Sequence, residues 1–161
     1  MKVPVLASDD RPTPLGAVAR GLCAGAAGTL AMTVYQVAVA KIRGSEPSTT
    51  PAEVGKRVIR GVFHRRFPEE QTGKLNQAMH WGYGTTWGAV YAITDGTASQ
   101  PAVPHGLAFG TFVWAASLAE LPAMKLAPPV WEYPPSELVL DASYHLVYGL
   151  VVAGVYATLR S

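Results

Sequence analysis

Four stretches of the chain contain no Asp, Glu, Lys or Arg: residues 21–40, 75–94, 96–119 and 142–159. Each is close to the about 20 apolar residues that an α-helix needs to cross the hydrocarbon core of a bilayer. A soluble helical protein with buried helices is the competing reading, but its charge-free runs are usually shorter. Composition alone does not decide between them. Charged residues make up 15% of the chain, below the roughly 25% usual for soluble domains, yet mean hydropathy is only +0.17. The placement of the charges decides, and it favours an all-α polytopic membrane protein.

The expected architecture is a four-helix transmembrane bundle forming one membrane domain over residues 1–161, with spans at about 15–40, 75–94, 103–121 and 137–159. The second run is the least apolar. Its Gly, Thr, Asn and His content suits a helix packed against protein more than against lipid. The third is expected to end at Glu120, before Leu121-Pro122, and Pro134-Pro135 precede the fourth. The opening residues carry Lys2, Asp9 and Asp10 without a continuous apolar core, so they do not read as a cleavable signal. Cys23 is the only cysteine, which rules out a disulfide within one chain.

Between the first two spans lies the polar loop 41–74. Within it, Thr50, Pro51 and Glu53 form a helix-start signature, with Thr50 as the expected cap. Val54, Val58 and Val62 then recur every four residues as an apolar stripe. This predicts an amphipathic helix with a membrane-surface basic set of Lys56, Arg57, Arg60, Arg65 and Arg66; an ordinary loop helix packed on the bundle is the alternative. Eight of the 13 Lys and Arg residues lie in this loop. The positive-inside rule therefore puts it on the cytoplasmic side, with both termini outward.

Small residues recur at helix-packing spacing: Gly21 and Gly25, Gly84 and Gly88, Gly106 and Gly110, then Gly149 and Ala153. Such pairs let helix backbones approach closely in lipid, where no hydrophobic force drives association. They predict a compact bundle and name no function.

Up-and-down threading brings one end of every span to the 41–74 side. Gln36, Asn76, His80, Glu120, Glu137, Asp141 and His145 all lie toward that end. His80 and His145 fall at comparable depth, roughly 8–12 Å in at 1.5 Å per residue. Glu137, Asp141 and His145 are spaced four apart and share one helix face. Ionisable groups at membrane depth are costly and turn inward to pair. These seven residues are therefore expected to line one polar pocket with its mouth at the near face.

Three readings of that pocket stand side by side. Hydrogen bonds between helices, with Glu137 favouring a helix N-terminus, would be purely structural. A proton- or metal-handling site would use the imidazoles and carboxylates, with His80, Glu120, Asp141 and His145 as the set for a divalent metal. A haem b held by His80 and His145 is the third, with Gly84 and Gly149 leaving room for the macrocycle. His64 and His105 fall outside the pocket. The chain has no HExxH, CxxC, P-loop, GxGxxG or GxSxG, and Ser117 and Ser143 lack a nucleophile motif, so no catalytic residue is named. A net charge of +2 gives no sign of a nucleic-acid partner.

The segment "LPAMKLAPPVWEYPPSELVLDASYHLVYG" resembles the C-terminal part of the YagU-like bacterial inner-membrane proteins. The matching positions are Leu121-Pro122, Pro128-Pro129, Pro135, Glu137 and His145, and "GLCAGAAGTLAMT" is similar to that family's small-residue opening. What the resemblance implies is a link to acid resistance and no catalytic residue. Together these readings lead to a multi-pass inner-membrane protein, non-enzymatic, with a buried carboxylate and histidine pocket in proton or acid homeostasis. The alternatives are a haem- or metal-binding redox protein and a structural subunit of a larger membrane complex. Expected partners are the lipid bilayer and either further copies of the chain or a larger complex.

Overall fold

A computed structural model describes residues 13–46, 48–95 and 101–161. The N-terminal stretch weighed above and residues 96–100, where the third charge-free run begins, lie outside the described residues. Five helices follow one another: α1 (Pro14–Arg43), α2 (Thr50–Phe63), α3 (Thr72–Asp95), α4 (Ala102–Ala123) and α5 (Pro135–Arg160). Among the described residues there are no strands.

Local chemistry sets the helix ends. Thr13 Oγ1 accepts from Gly16 N at 3.2 Å, Pro14 stands at the first helical position, and Gly44 ends α1 in the left-handed region at φ 62°. The amide of Ser45 then donates back to Ala40 O at 3.0 Å. α4 runs past the expected stop at Glu120: Pro122 sits inside its last turn, and Leu126 N closes the end on Leu121 O at 2.9 Å. A proline in a last turn removes one donor without breaking the turns before it.

Consecutive long helices are antiparallel, as the paired residues show. Gly21 meets Gly88 and Gly25 meets Gly84 between α1 and α3; Gly106 meets Gly149 between α4 and α5. A Cβ on Gly25 would stand 2.7 Å from the Gly84 carbonyl oxygen, and one on Gly106 would stand 2.8 Å from that of Gly149. These helices touch backbone to backbone, and only glycine permits it. α1 also packs along α5, where Gly28 leaves room for Tyr148 and Val152.

The α3–α4 seam is built differently. It is filled by side chains, with Trp87 edge-on to Phe112 at 5.6 Å and Tyr91 edge-on to Phe109 at 4.9 Å. Buried Tyr148 and Tyr156 lie behind it on α5; Tyr148 donates to Gly84 O at 2.6 Å, and Tyr156 reaches toward Ala92 O at 3.5 Å.

Among the described residues three helices, α1, α4 and α5, are long and apolar enough to cross a membrane. Only 28%, 17% and 22% of their most apolar windows is buried inside the protein, so most of that apolar surface faces outward. Leu30, Val34, Val103, Phe112 and Val139 are among the exposed side chains. This marks a membrane protein. α3, with its Gly, Thr, Asn and His, is not one of the three.

α2 differs from its expected capping and packing. Thr49, not Thr50, is the cap residue, and neither supplies a side-chain cap bond. Asn76 of α3 does that work: its Oδ1 accepts from Ala52 N at 3.0 Å and its Nδ2 donates to Ser48 O at 3.1 Å. Glu53 turns instead to Lys56 at 3.3 Å. The face laid on α3 is Ala52 and Gly55, against Leu75 and Met79, because only small residues allow that approach. Val58 and Val62 of the valine stripe remain exposed, together with Phe63.

Candidate functional site

A cavity of about 590 Å³ lies between the helices at the end where α1 stops and α5 starts. It runs from Thr29 and Tyr148, midway along their helices, to Arg43, Glu137 and loop residues Ser45 and Ser48. Gln36, Asn76, His80 and Glu120 all line it, as do Glu137, Asp141 and His145. The seven expected pocket residues thus surround one space, supplied by α1, α3, α4 and α5, but their surroundings divide them.

Asn76 and Glu137 are committed to structure. Asn76 holds the start of α2, as described above. Glu137 takes a two-pronged salt bridge from Arg43, with Nη1 to Oε2 at 3.1 Å. The pair joins the last turn of α1 to the first turn of α5, so each charge also faces the helix dipole that favours it.

The two histidines face the cavity with defined tautomers. His145 is 8% exposed, and its Nδ1 stands 2.9 Å from the Asp141 carbonyl oxygen. A carbonyl only accepts, so Nδ1 carries the proton and Nε2 is left as a basic nitrogen. His80 Nε2 stands 3.0 Å from Thr33 Oγ1, whose own proton goes to Thr29 O at 2.7 Å. His80 Nε2 is therefore the donor, and Nδ1 is its basic nitrogen. Each imidazole keeps one nitrogen able to take a proton.

The carboxylates are held by aromatic donors. Trp114 Nε1 donates to Asp141 Oδ2 at 3.0 Å, and Tyr83 OH donates to Glu120 Oε2 at 3.0 Å. Asp141 Oδ1 lies 3.8 Å from His145 Nδ1. Arg43, Thr33, Tyr83 and Trp114 are the partners that sequence reasoning missed. Arg43 was counted with the basic loop although α1 carries it to the level of Glu137. Trp114 and Asp141 become neighbours only once the α4–α5 register is known.

Two geometric premises of the cofactor readings change. Among the described residues no three His, Cys, Asp or Glu side chains come together as a metal site. His80, Glu120, Asp141 and His145 share the cavity without converging. The room proposed for a haem at Gly84 and Gly149 does not exist: a Cβ on Gly84 would run into the Thr29 hydroxyl, and one on Gly149 into Gly106 and Gly110. Both glycines serve helix packing. His64 is exposed at the end of α2, and His105 packs edge-on to Tyr91 at 6.2 Å, away from the cavity. Ser117 and Ser143 donate to carbonyls of their own helices at 2.7 and 2.6 Å.

The basic set splits as well. Lys56 is mostly covered and paired with Glu69 at 2.6 Å, while Arg57, Arg60, Arg65 and Arg66 are exposed. Lys56, Arg60, Arg66, Phe67 and Glu69 surround a second, smaller cavity of about 250 Å³.

Fold and cavity together define an all-α protein with three helices long and apolar enough to cross a membrane, around an ionisable chamber. Residues 55–154 match the family described as "Protein of unknown function (DUF1440)", and the chain belongs to that family. The match reaches well beyond the C-terminal motif discussed above, from α2 to α5. No curated protein and no solved structure matches the chain.

Proposed function

We propose that the chain is a four-span protein of a bacterial inner membrane whose chamber takes up and releases protons, in the service of proton or acid homeostasis. α3 is the fourth span in this reading. Its 24 residues rise about 36 Å at 1.5 Å each, Lys74 and Asp95 are its only charged residues, and glycines lock it to α1. The basic 41–74 loop then lies on the cytoplasmic side, and the chamber opens toward it.

One observation carries the proposal: two imidazoles and two carboxylates, from three helices, face a single cavity behind apolar outer surfaces. Ionisable groups at such depth are expensive, and histidine is the side chain that titrates near neutral pH. A proton entering at the mouth is taken by His145 Nε2, in a ring that lies beside the Asp141 carboxylate. His80 accepts a second at Nδ1. In this reading the role is non-enzymatic. The resemblance of the C-terminal segment to the YagU-like proteins implies an acid-resistance role, which points the same way.

Nitrogen-15 spectra of the histidines in lipid nanodiscs test this. Each cavity imidazole should show a protonation change in these spectra, His145→Ala and His80→Ala should each remove one of them, and vesicles carrying the protein should pass protons faster than empty ones. Imidazoles that stay in one protonation state throughout, with vesicles indistinguishable from empty ones, would overturn the reading.

A further inference from the structure

The chamber is much larger than proton binding requires. Cavities of about 300–1,000 Å³ with apolar walls and a few convergent polar groups are typical of small-molecule sites, and 590 Å³ falls in that range. Four carboxylates line it (Glu46, Glu120, Glu137 and Asp141) against one guanidinium, Arg43, which Glu137 already holds. Among the described residues the other three carboxylates have no Lys or Arg partner.

The hydrogen-bonding inventory points in the same direction. Three aromatic donors are used within the protein: Trp114 on Asp141, Tyr83 on Glu120, Tyr148 on Gly84 O. Several acceptors stay open. His145 is nine-tenths buried, and among the described residues its Nε2 has no hydrogen-bond partner. His80 Nδ1 and the second oxygens of Asp141 and Glu120 add to it, beside the amides of Gln36 and Gln77, which offer both kinds. An occupant that carries positive charge and donates hydrogen bonds complements the carboxylates and these acceptors. A protonated primary amine has three donors and no acceptor. Tyr83, Trp87 and Tyr148 line the same space, and aromatic faces attract ammonium groups and cover an apolar body.

We infer that the chamber is a binding site for a small organic cation, a protonated primary amine with an apolar body, its ammonium group drawn to the carboxylates of the lining. This rests on the reading of the chamber as the working site and names what occupies it besides protons. The amine enters at the mouth and seats its body against the rings of the α3–α4 seam.

The test uses three probes of one shape: 3-phenylpropylamine, 3-phenylpropanol and 3-phenylpropionate. Binding to the full chain in detergent is measured by calorimetry at about pH 8, above the ordinary histidine value. The amine should bind at least about tenfold tighter than the alcohol, the size of a single well-placed charge contact, and the anion should bind weakest. Asp141→Asn and Glu120→Gln keep side-chain shape, and each should reduce the amine's advantage while leaving the alcohol unchanged. Glu69→Gln removes the same charge at the second cavity and should leave the advantage intact. An amine no tighter than the alcohol overturns the inference, as does an equal loss in Glu69→Gln, which would mean surface charge alone. Because the histidine titrations are read without amine, their failure sinks the proton reading separately from this one.

Discussion

Arg43 and Glu137 close the cavity's end with a fork of two hydrogen bonds between the last turn of α1 and the first of α5. Both side chains are nearly half exposed, 46% and 42%, so water screens the attraction. Glu137→Gln should therefore lower the thermal midpoint by no more than a few degrees. Reversing both charges should rescue only part of the loss: the pair re-forms, but each charge then faces the unfavourable end of its helix dipole. Melting curves of the single and double variants in detergent check this. Full rescue would show that the dipoles contribute nothing.

The glycines divide into two groups with opposite predicted responses. A Cβ on Gly88 would meet the Gly21 carbonyl and the backbone of Gly25, whereas one on Gly82, in the same helix, meets nothing within 4 Å. Gly88→Ala should destabilise by about 1–3 kcal/mol through overpacking. Gly82→Ala should stabilise by about 0.5–1 kcal/mol, the ordinary gain of Ala over Gly within a helix. Denaturant titrations of both variants give the two signs; equal effects would contradict backbone contact between α1 and α3.

Asn76 carries the docking of α2 through both ends of its amide. Asn76→Asp keeps the acceptor for Ala52 N and loses the donor for Ser48 O, while Asn76→Ala loses both. The alanine variant should cost about 1–2 kcal/mol, as the loss of a helix cap does, and the aspartate less. Limited proteolysis reads the effect directly. Cleavage at Arg57, Arg60, Arg65 and Arg66 should accelerate most in Asn76→Ala, and an unchanged rate would mean α2 is held elsewhere.

How much of this could be read from the residues depends on the range of the interaction. Charge-free runs and glycine spacing follow from lipid and helix geometry, so the helical character and the spacing of the contact glycines were legible. The chamber's lining followed from threading alone, because alternating helices force Gln36, His80, Glu120 and Asp141 to one end. Partners were not legible. Which residue donates to Asp141 depends on the register of α4 against α5, fixed by Gly106 and Gly110 meeting Gly149. The cap of α2 comes from Asn76, 24 residues beyond Ala52, and no local pattern encodes it. Glycines that seemed to leave room for a macrocycle were making room for a helix instead, since spacing cannot say which neighbour fills the gap.

Lys56 and Glu69 give the loop a pH dependence whose sign can be worked out. The bond to Lys56 holds the Glu69 carboxyl below its ordinary value, and the bond to Glu69 raises the Lys56 ammonium above its own. A lowered carboxyl contributes stability that is present above its ordinary value of 4.5 and lost as pH falls through the lowered one. A raised amine contributes below 10.5, and that contribution is lost as pH rises through the raised value. Between those limits the pair's contribution is flat. Glu69→Gln should therefore weaken the loop equally from pH 6 to 9, converging with the parent at the acid end and again at the alkaline end. Hydrogen exchange of the α2 amides across that range checks it; a difference that changes near neutral pH would assign the effect to another group.

The α3–α4 seam is the place where the bundle can loosen without breaking backbone contact. α1 holds α3, and α5 holds α4, through glycines, but α3 and α4 meet through rings centred on Trp87, which is edge-on to Tyr83, Phe109 and Phe112. Removing that ring deletes two aromatic contacts across the seam, to Phe109 and Phe112, and one within α3, to Tyr83, each worth about 0.5–1.5 kcal/mol beyond its area, while leaving both glycine-packed pairs intact. Trp87→Ala should thus separate α3 from α4 without unfolding either. Spin labels on Thr86→Cys and Thr111→Cys, in a Cys23→Ser background, report the gap: both threonines are exposed, one on each helix. Their distance distribution should broaden and lengthen in Trp87→Ala and stay narrow in Trp131→Ala, whose ring is 81% exposed. A narrow distribution in both variants would mean that the seam is held by something other than its rings, and that the chamber's aromatic wall is fixed.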